Sequence, residues 1–573
     1  MVDIVVFLSI FIFYSSRMLV DWQSRLYSWL SSIIVFSITV FTIDDLPDEA
    51  YVWAEKIHSL KTTGTFGVPL WDGTFGESSV GTLGFILSFV LRFIPFVSFE
   101  MALLTPVILT AGLCTFLTYV LMSKSGYRNL QAFFFSLILG VCPPLIISSS
   151  MAFDNTLALL LLILYIGNIQ RQNRSKKIDL ILVSIAPLIR LELALFSFCA
   201  IFFILKSNRA SNTSNVLSRK MIKQTCFILA FWTLWCFYKI WKFDSLVPAM
   251  ARYKSPKLDI ATLSSGSNYL VDSVGASSLI TLFCVFILVF IRIDYRKKSG
   301  NLQSREYGFT EMFSVLTITT LAALVAAVGS GGDYFGPGLA RYSFPYQIAW
   351  AISLLVFVKK RGECINSYTR SLIGVSLVSI ILSLHQVPAW VVLKNDLKTI
   401  EFGRSTCDYY AAKALQNYLS SIHFYDDELV VGTPEVNGLA FHLGASLLDM
   451  SGLVDSRPNL IHKPLNPGDP LNKYQIYLTD TQIKKASLFW LTGANCFNTT
   501  EYLARENELL TSKTVSKFFD SERFYWRMPQ WQKILALGFQ PVLIVFNFEY
   551  ENKKYVGTAR MLINSNAAQS LKT

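Results

Sequence analysis

Four carboxylates, Asp44, Asp45, Asp48 and Glu49, fall in the stretch TIDDLPDEAYVWAEKIHSLKTTG, directly behind an apolar run. Acids held near a membrane surface lose part of their hydration, which raises their pKa values and suits them to general-base work. The same residues also read as the start of a helix. Asp45 would cap it with Pro47 in its first turn, and Asp48 and Glu49 would favour the positive end of the helix dipole. Residue types and spacing leave both readings open. Of the five histidines only His58 lies near these acids, so the sequence supports no metal site and leaves the cofactor unassigned, a divalent cation included. His58 reads as a helix-surface residue.

Further polar groups occur where apolar runs begin or end. SSSMAFDNTLALL brings Asp154 and Asn155 to the start of one run, and APLIRLELALF sets Arg190 and Glu192 between two. Charged side chains at such depth are costly and are usually paired or functional. Arg190 can therefore pair with Glu192 or with an aspartate, or it can hold a phosphate, whose geometry a guanidinium matches. GSGGDYFGPGLARYSFP places Asp333 and Arg341 among glycines that permit tight turns, and it also reads as a plain connector.

The elements that must position these groups are membrane helices. The chain of 573 residues is 52% hydrophobic and only 16% charged, against about 25% charged in ordinary soluble domains. Mean hydropathy is +0.43. Apolar runs of membrane length cover Trp29–Ile43, Met101–Met122, Leu130–Ser149 and Phe153–Ile169. A tight pair follows, Ile178–Ile189 and Leu191–Leu205, and then Gln224–Ile240, Gly275–Ile291, Thr310–Gly329, Tyr342–Val358 and Ser371–Pro388. The expectation is a polytopic α-helical membrane protein with about 11 transmembrane helices, and a twelfth if Ile4–Val20 also crosses. The net charge of +12 is topological, because Lys and Arg cluster between alternate spans. Lys124/Arg128, Arg171 to Lys177, Lys206 to Lys223, Arg292 to Arg305 and Lys359 to Arg361 then mark the cytoplasmic side, and no nucleic-acid partner is implied. Val80–Val97 contains Arg92 and Pro95 and would reverse every later loop if it crossed, so it reads as an interfacial or re-entrant helix.

Three regions result. Residues 1–27 form an N-terminal apolar segment, 28–388 a transmembrane domain whose first external loop is 44–79, and 389–573 a C-terminal α/β domain outside the cytoplasm. In the last, LVVGT and PVLIVFNFEY read as strands. Its two cysteines, Cys407 and Cys496, could form a disulfide if that domain lies in an oxidising compartment.

Taken together these motifs resemble the GT-C superfamily of polytopic glycosyltransferases, in particular the branch with the mycobacterial terminal arabinofuranosyltransferase. DEAYVWAEKIHSLKTTG is similar to that branch's DDAYISxRYAxNxxxGxG, LIRLE to LTRPE, and WKFDSLVPAMARYKSP to YYGxLLPNTYYAK, which places Lys254. GGDYFGPGLARYSFP is similar to GGDWMPGxRFLLP, and LLDMSGLVD to IDMxGLxD. The second acid is Glu49 where the branch has Asp, Pro is missing after Arg190, PNT is replaced by PAM, and the Asp44/Asp45 pair is additional.

The resemblance implies a GT-C-like enzyme of a bacterial inner membrane. It would move a sugar, arabinofuranose or another pentose or hexose, from a polyprenyl-phosphate donor to an envelope glycan, glycolipid or protein on the outer face. Asp48 would be the principal catalytic carboxylate, with Glu49 and Asp45 supporting it. Arg190 and Arg341 would hold the donor phosphate, Tyr51 and Trp53 would stack on a sugar ring, and Glu192, Asp333 and Lys254 would complete the substrate site. Two rivals stay open: a flippase or transporter of lipid-linked sugars, whose sites tend to lie near the midplane between inverted repeats, and a membrane-anchored envelope-assembly protein.

Overall fold

The computed structural model describes residues 22–42, 48–76, 82–94, 97, 99–151, 154–171, 174–190, 192–210, 215–243, 260–274, 304–329, 343–361, 367–398, 404–421, 429–433, 438–450, 462–464, 474–476, 478–490, 495–498, 502–503, 531–550 and 552–564. The chain divides into two compact units. The first comprises Met1–Ile43, Val80–Trp235 and Leu258–Lys398, and the second Asp44–Ser79, Cys236–Lys257 and Thr399–Thr573.

The first unit is helical. In chain order its described helices begin with α1 (Trp22–Phe41). After α2 (Asp48–Thr63), which belongs to the second unit, come α3 (Thr82–Arg92), α4 (Phe99–Lys124), α5 (Asn129–Gly140), α6 (Pro143–Ser150) and α7 (Asn155–Ile169). Then follow α8 (Lys176–Ile189), α9 (Leu193–Ala210), α10 (Asn215–Phe243), which belongs to this unit only as far as Trp235, and α11 (Ile260–Val274). The last are α12 (Ser304–Gly329), α13 (Phe344–Arg361), α14 (Ser367–Leu384) and α15 (Val387–Lys398). Among the described residues four segments are long and apolar enough to cross a membrane: Trp22–Phe41, Met101–Lys124, Gly308–Gly329 and Ser367–Val391. The pair α5–α6 makes a fifth if it is one span. It bends by 58° at the point where Cys142 leads into Pro143 and Pro144, which cannot continue the α5 hydrogen-bond ladder. The helices α7 and α9 are apolar but shorter. Ile4–Val20 and Gly275–Ile291 lie outside the described residues.

The unit is built around α13, whose residues Phe344 to Phe357 are all buried. A helix hidden on every side needs neighbours all round. It packs on α7, α14, α12 and α4. Phe313 of α12 stacks on Trp350 with 5.5 Å between ring centroids, and the Trp350 indole donates to Thr320 Oγ1. Between α11 and α12 the backbones nearly touch: a Cβ on Gly266 would lie 2.3 Å from the Val328 carbonyl oxygen. Helix α3 has 11 residues, too short to cross a bilayer core of about 30 Å. Its Val90 and the following Phe93 are more than half exposed, an apolar face suited to lipid contact.

The second unit opens with α2 (Asp48–Thr63), which Gly64 ends in the left-handed conformation (φ 70°). A small hairpin follows, β1 (Val68–Pro69) with β2 (Phe75–Gly76). The principal sheet is six-stranded, in the order β4-β3-β7-β10-β8, with β9 also on β10. Its strands are β3 (Val430–Thr433), β4 (Ser446–Asp449), β7 (Leu488–Trp490), β8 (Asn495–Asn498), β9 (Phe539–Tyr550) and β10 (Lys553–Asn564). Strand β3 runs parallel to β4 and β7, whereas β10 is antiparallel to β7, β8 and β9. The expected strands LVVGT and PVLIVFNFEY are β3 and β9. Alternation along β9 turns Ile544, Phe546 and Phe548 toward the core, with Val545 outward. Asn552, at φ 62°, turns β9 into β10, a conformation that Asn tolerates. The remaining short strands, β5 (His462–Pro464) and β6 (Tyr474–Ile476), form a separate pair.

Two features tie this unit together. The hairpin after α2 joins the sheet edge, with Leu70 bridging Leu447 and the Trp71 amide donating to the Leu447 carbonyl at 3.0 Å. Helix α16 (Arg404–Ser421) packs on β8, β9 and β10, and its Cys407 is disulfide-bonded to Cys496 of β8.

Candidate functional site

Helix α2 carries the acidic motif into the second unit. Asp48 and Glu49 lie in its first turn, where carboxylates favour the dipole, as the helix-start reading expects. The side chains of Asp48, Glu49 and Trp53 are outside the described residues, as are Asp45, Lys254, Asp333 and Arg341 altogether. Tyr51 is buried, with its ring beside Phe441 and His442 of α17 (Gly438–Leu443) at 6.3 Å. His58 is exposed, as its sequence position suggested, and meets the Phe441 ring edge-on.

Sequence reasoning missed two groups on this helix. Glu55 is 6% exposed and Lys56 is fully buried. Adjacent helical residues point about 100° apart, so they do not neutralise each other side by side. Lys56 Nζ sits over the Phe66 ring at 5.2 Å from its centroid. Loss of hydration pushes the Glu55 carboxyl up to about 8, so it is mostly protonated at neutral pH. The signal was available in the spacing: Glu55 follows Tyr51 by four residues and Asp48 by seven, which puts all three along one side of α2.

In the first unit, Arg190 sits at the break between α8 and α9, with extended backbone (φ −151°, ψ 140°). Its Nη1 donates to Asp154 Oδ1 at 2.8 Å and to Asn155 Oδ1, and its Nε donates to Glu192 Oε1. The sequence left open whether Arg190 pairs with Glu192 or with an aspartate. It pairs with both. Arg190 is 5% exposed, so this is a buried ion cluster at the start of α7.

Helices α7 and α13 pack together, and Lys360 Nζ near the end of α13 donates to Gln170 Oε1 just past the end of α7 (2.9 Å).

A second buried network lies at the other end of α7. Arg174 makes a bidentate pair with Glu311 (2.5 and 2.6 Å) and bonds Asp179 Oδ2 at 2.6 Å. Tyr165 donates to Glu311, and Asn168 donates to Asp179, each at 2.8 Å. Arg174, read from sequence as one of a topological group of cations, is thus also the clamp joining α7, α8 and α12. No spacing signal marks Glu311 as its partner, since 137 residues separate them. Among the described residues no group of three His, Cys, Asp or Glu side chains could hold a metal ion.

No protein-family model matches the chain, and no curated protein matches it in sequence. Among solved structures it is similar to the crystal structure of ArnT from Cupriavidus metallidurans bound to undecaprenyl phosphate. The identity is 11%, the superposition covers 93% of this chain and 97% of that one, and the TM-score is 0.44. A likeness at that level decides neither substrate nor residue roles.

Proposed function

We propose that the protein is a membrane glycosyltransferase of the GT-C kind. It takes a sugar from a polyprenyl-phosphate donor and delivers it to a hydroxyl of an envelope glycan, glycolipid or protein on the outer face of a bacterial inner membrane. Asp48 acts as the catalytic carboxylate, assisted by Glu49 and Asp45. Arg190 and Arg341 hold the donor phosphate, Glu192, Asp333 and Lys254 complete the substrate site, and Tyr51 and Trp53 line the sugar.

The observation that carries this reading is the Cys407–Cys496 disulfide, in the same compact unit as α2 and its acidic first turn. Disulfides persist in oxidising compartments and are rare in the cytosol. The disulfide supports putting the unit that bears the acids on the side where lipid-linked sugars meet envelope acceptors. Several apolar helices in the other unit supply the membrane anchorage. The ordered motif resemblance supplies the reaction class.

The test is direct. Membranes containing the protein are incubated with radiolabelled polyprenyl-phosphate sugars, and label in envelope acceptors is counted. Asp48→Asn abolishes transfer while expression and the disulfide persist. Unchanged transfer by that variant removes Asp48 from the mechanism, and labelling of a cysteine at position 48 only from the cytosolic side overturns the scheme.

A further inference from the structure

One end of the first unit carries exposed charge of a single sign. Lys359 Nζ lies over the Tyr127 ring at 5.4 Å from its centroid, and the Tyr127 hydroxyl donates to the Leu355 carbonyl at 2.9 Å. These contacts bring the loop after α4, with Lys124 and Arg128, against the end of α13. Lys360, bonded to Gln170, adds the start of the α7–α8 connection with Arg171. Lys124, Arg128, Arg171, Lys359 and Lys360 are all exposed. The stretches 124–128, 168–178 and 355–361 contain no Asp or Glu. The acids that Arg174 reaches from them, Asp179 and Glu311, are fully buried. Loops that the alternation of charge assigns to the same end keep the sign. Stretches 206–223 and 292–306 bring five cations each, against Asp294, Glu306 and, from 362–366, Glu363.

The surroundings select the partner. The candidate span Met101–Lys124 ends on one of these cations, so they stand at the depth of lipid phosphates. Apolar surface lies beside them. Ser24 Oγ donates to Asn129 Oδ1 at 2.9 Å, which holds the start of α1 next to the start of α5. There Trp22 is 69% exposed, and Leu130 and Phe134, along one side of α5, are 52% and 50% exposed. A soluble anion gains nothing from these side chains, whereas acyl chains cover them and Trp favours the membrane interface. We infer that this end of the first unit selects anionic phospholipid. Lys124, Arg128 and Lys359 hold the headgroup phosphate, and the apolar residues of α1 and α5 take the acyl chains. Clustered cations at a membrane surface draw anionic lipid in this way. The positive-inside effect acts while the chain inserts, whereas this selectivity belongs to the folded protein.

The experiment uses the full chain in a maltoside detergent and follows its melting with dioleoyl phosphatidylglycerol, dioleoyl phosphatidylcholine or glycerol phosphate. Phosphatidylglycerol raises Tm, and the other two do not. Arg128→Gln weakens its apparent Kd about fivefold, and Arg128→Gln with Lys359→Gln about twenty-fivefold. Lys413→Gln with Lys485→Gln makes the same charge change at exposed positions of the second unit and leaves the Kd unchanged. If the double variant does not fold, Lys124→Gln, also at an exposed position, repeats the fivefold test. Equal protection by phosphatidylcholine, or none by phosphatidylglycerol, overturns the inference. Equal protection by glycerol phosphate makes this a site for a free anion and overturns the lipid. A loss in the second-unit control as large as in the Arg128 and Lys359 variants means diffuse attraction without a site, and the inference fails.

Discussion

Glu55→Gln tests the electrostatics of the acidic helix. Burial raises the Glu55 carboxyl from 4.5 to about 8, so between those values the folded protein keeps a proton that the unfolded chain releases. The folded state then binds more protons than the unfolded one, and stability falls as pH rises through that window. Below about 4.5 both states are protonated and the effect is absent; above about 8 it is fully developed. At pH 7, about 2.5 units into the window, the penalty is about 3 kcal/mol at ~1.4 kcal/mol per unit. Glutamine has the same shape and no charge to desolvate. The expected result is that opening of α2, followed by amide hydrogen exchange in the full-length protein, becomes easier by about tenfold per pH unit in the parent between about pH 5.5 and 7.5, after correction for intrinsic exchange. The variant shows a flat profile over the same range and stronger protection at neutral pH. The protonated-carboxyl infrared band seen in the parent at pH 7 is also lost in Glu55→Gln. Parallel exchange profiles in the two proteins would refute the reasoning, because Glu55 would then be ionised in the fold.

Other perturbations separate structural roles. Arg174→Leu leaves Glu311 and Asp179 buried without their cation and costs about 3–5 kcal/mol in a melt of the purified protein, whereas Lys177→Leu, at an exposed neighbouring position, changes stability by less than about 0.5 kcal/mol. Equal effects would return Arg174 to a purely topological role. Joint replacement of Cys407 and Cys496 by alanine, which opens a link across 89 positions, costs about 2–4 kcal/mol, read as greater protease sensitivity of the second unit. A non-reducing gel that shows free thiols at both positions in native membranes would remove the compartment argument.

The apolar segments around Trp22–Phe41, Met101–Lys124, Gly308–Gly329 and Ser367–Val391, the short helix at Thr82, the helix break at Arg190 and the strands β3 and β9 were legible in the chain, whereas the expected number of about 11 spans goes beyond the four or five that qualify among the described residues. Each is marked by local apolar period, length or a breaking residue. The acidic motif was visible for the same reason, with its helix-start geometry implied by residue types. Glu55 and Lys56 were not singled out, because a charged pair in a mixed helix looks like a solvated face until its packing partners are known. The pairing of Arg190 was half legible: Glu192 is two residues away, but Asp154 lies 36 positions earlier.

Local sequence thus determined that several segments are helices of membrane character, that LVVGT and PVLIVFNFEY are strands, and that acids follow the first span. Tertiary structure decided that the loop 44–79 joins the sheet of the second unit through Leu70 and Leu447, that Cys407 meets Cys496, and that Arg174 and Arg190 are each held by two carboxylates. The physical reason is range. Apolar period and turn chemistry act over a few residues, whereas burial, pairing and the protonation of a carboxyl depend on groups that only folding brings together.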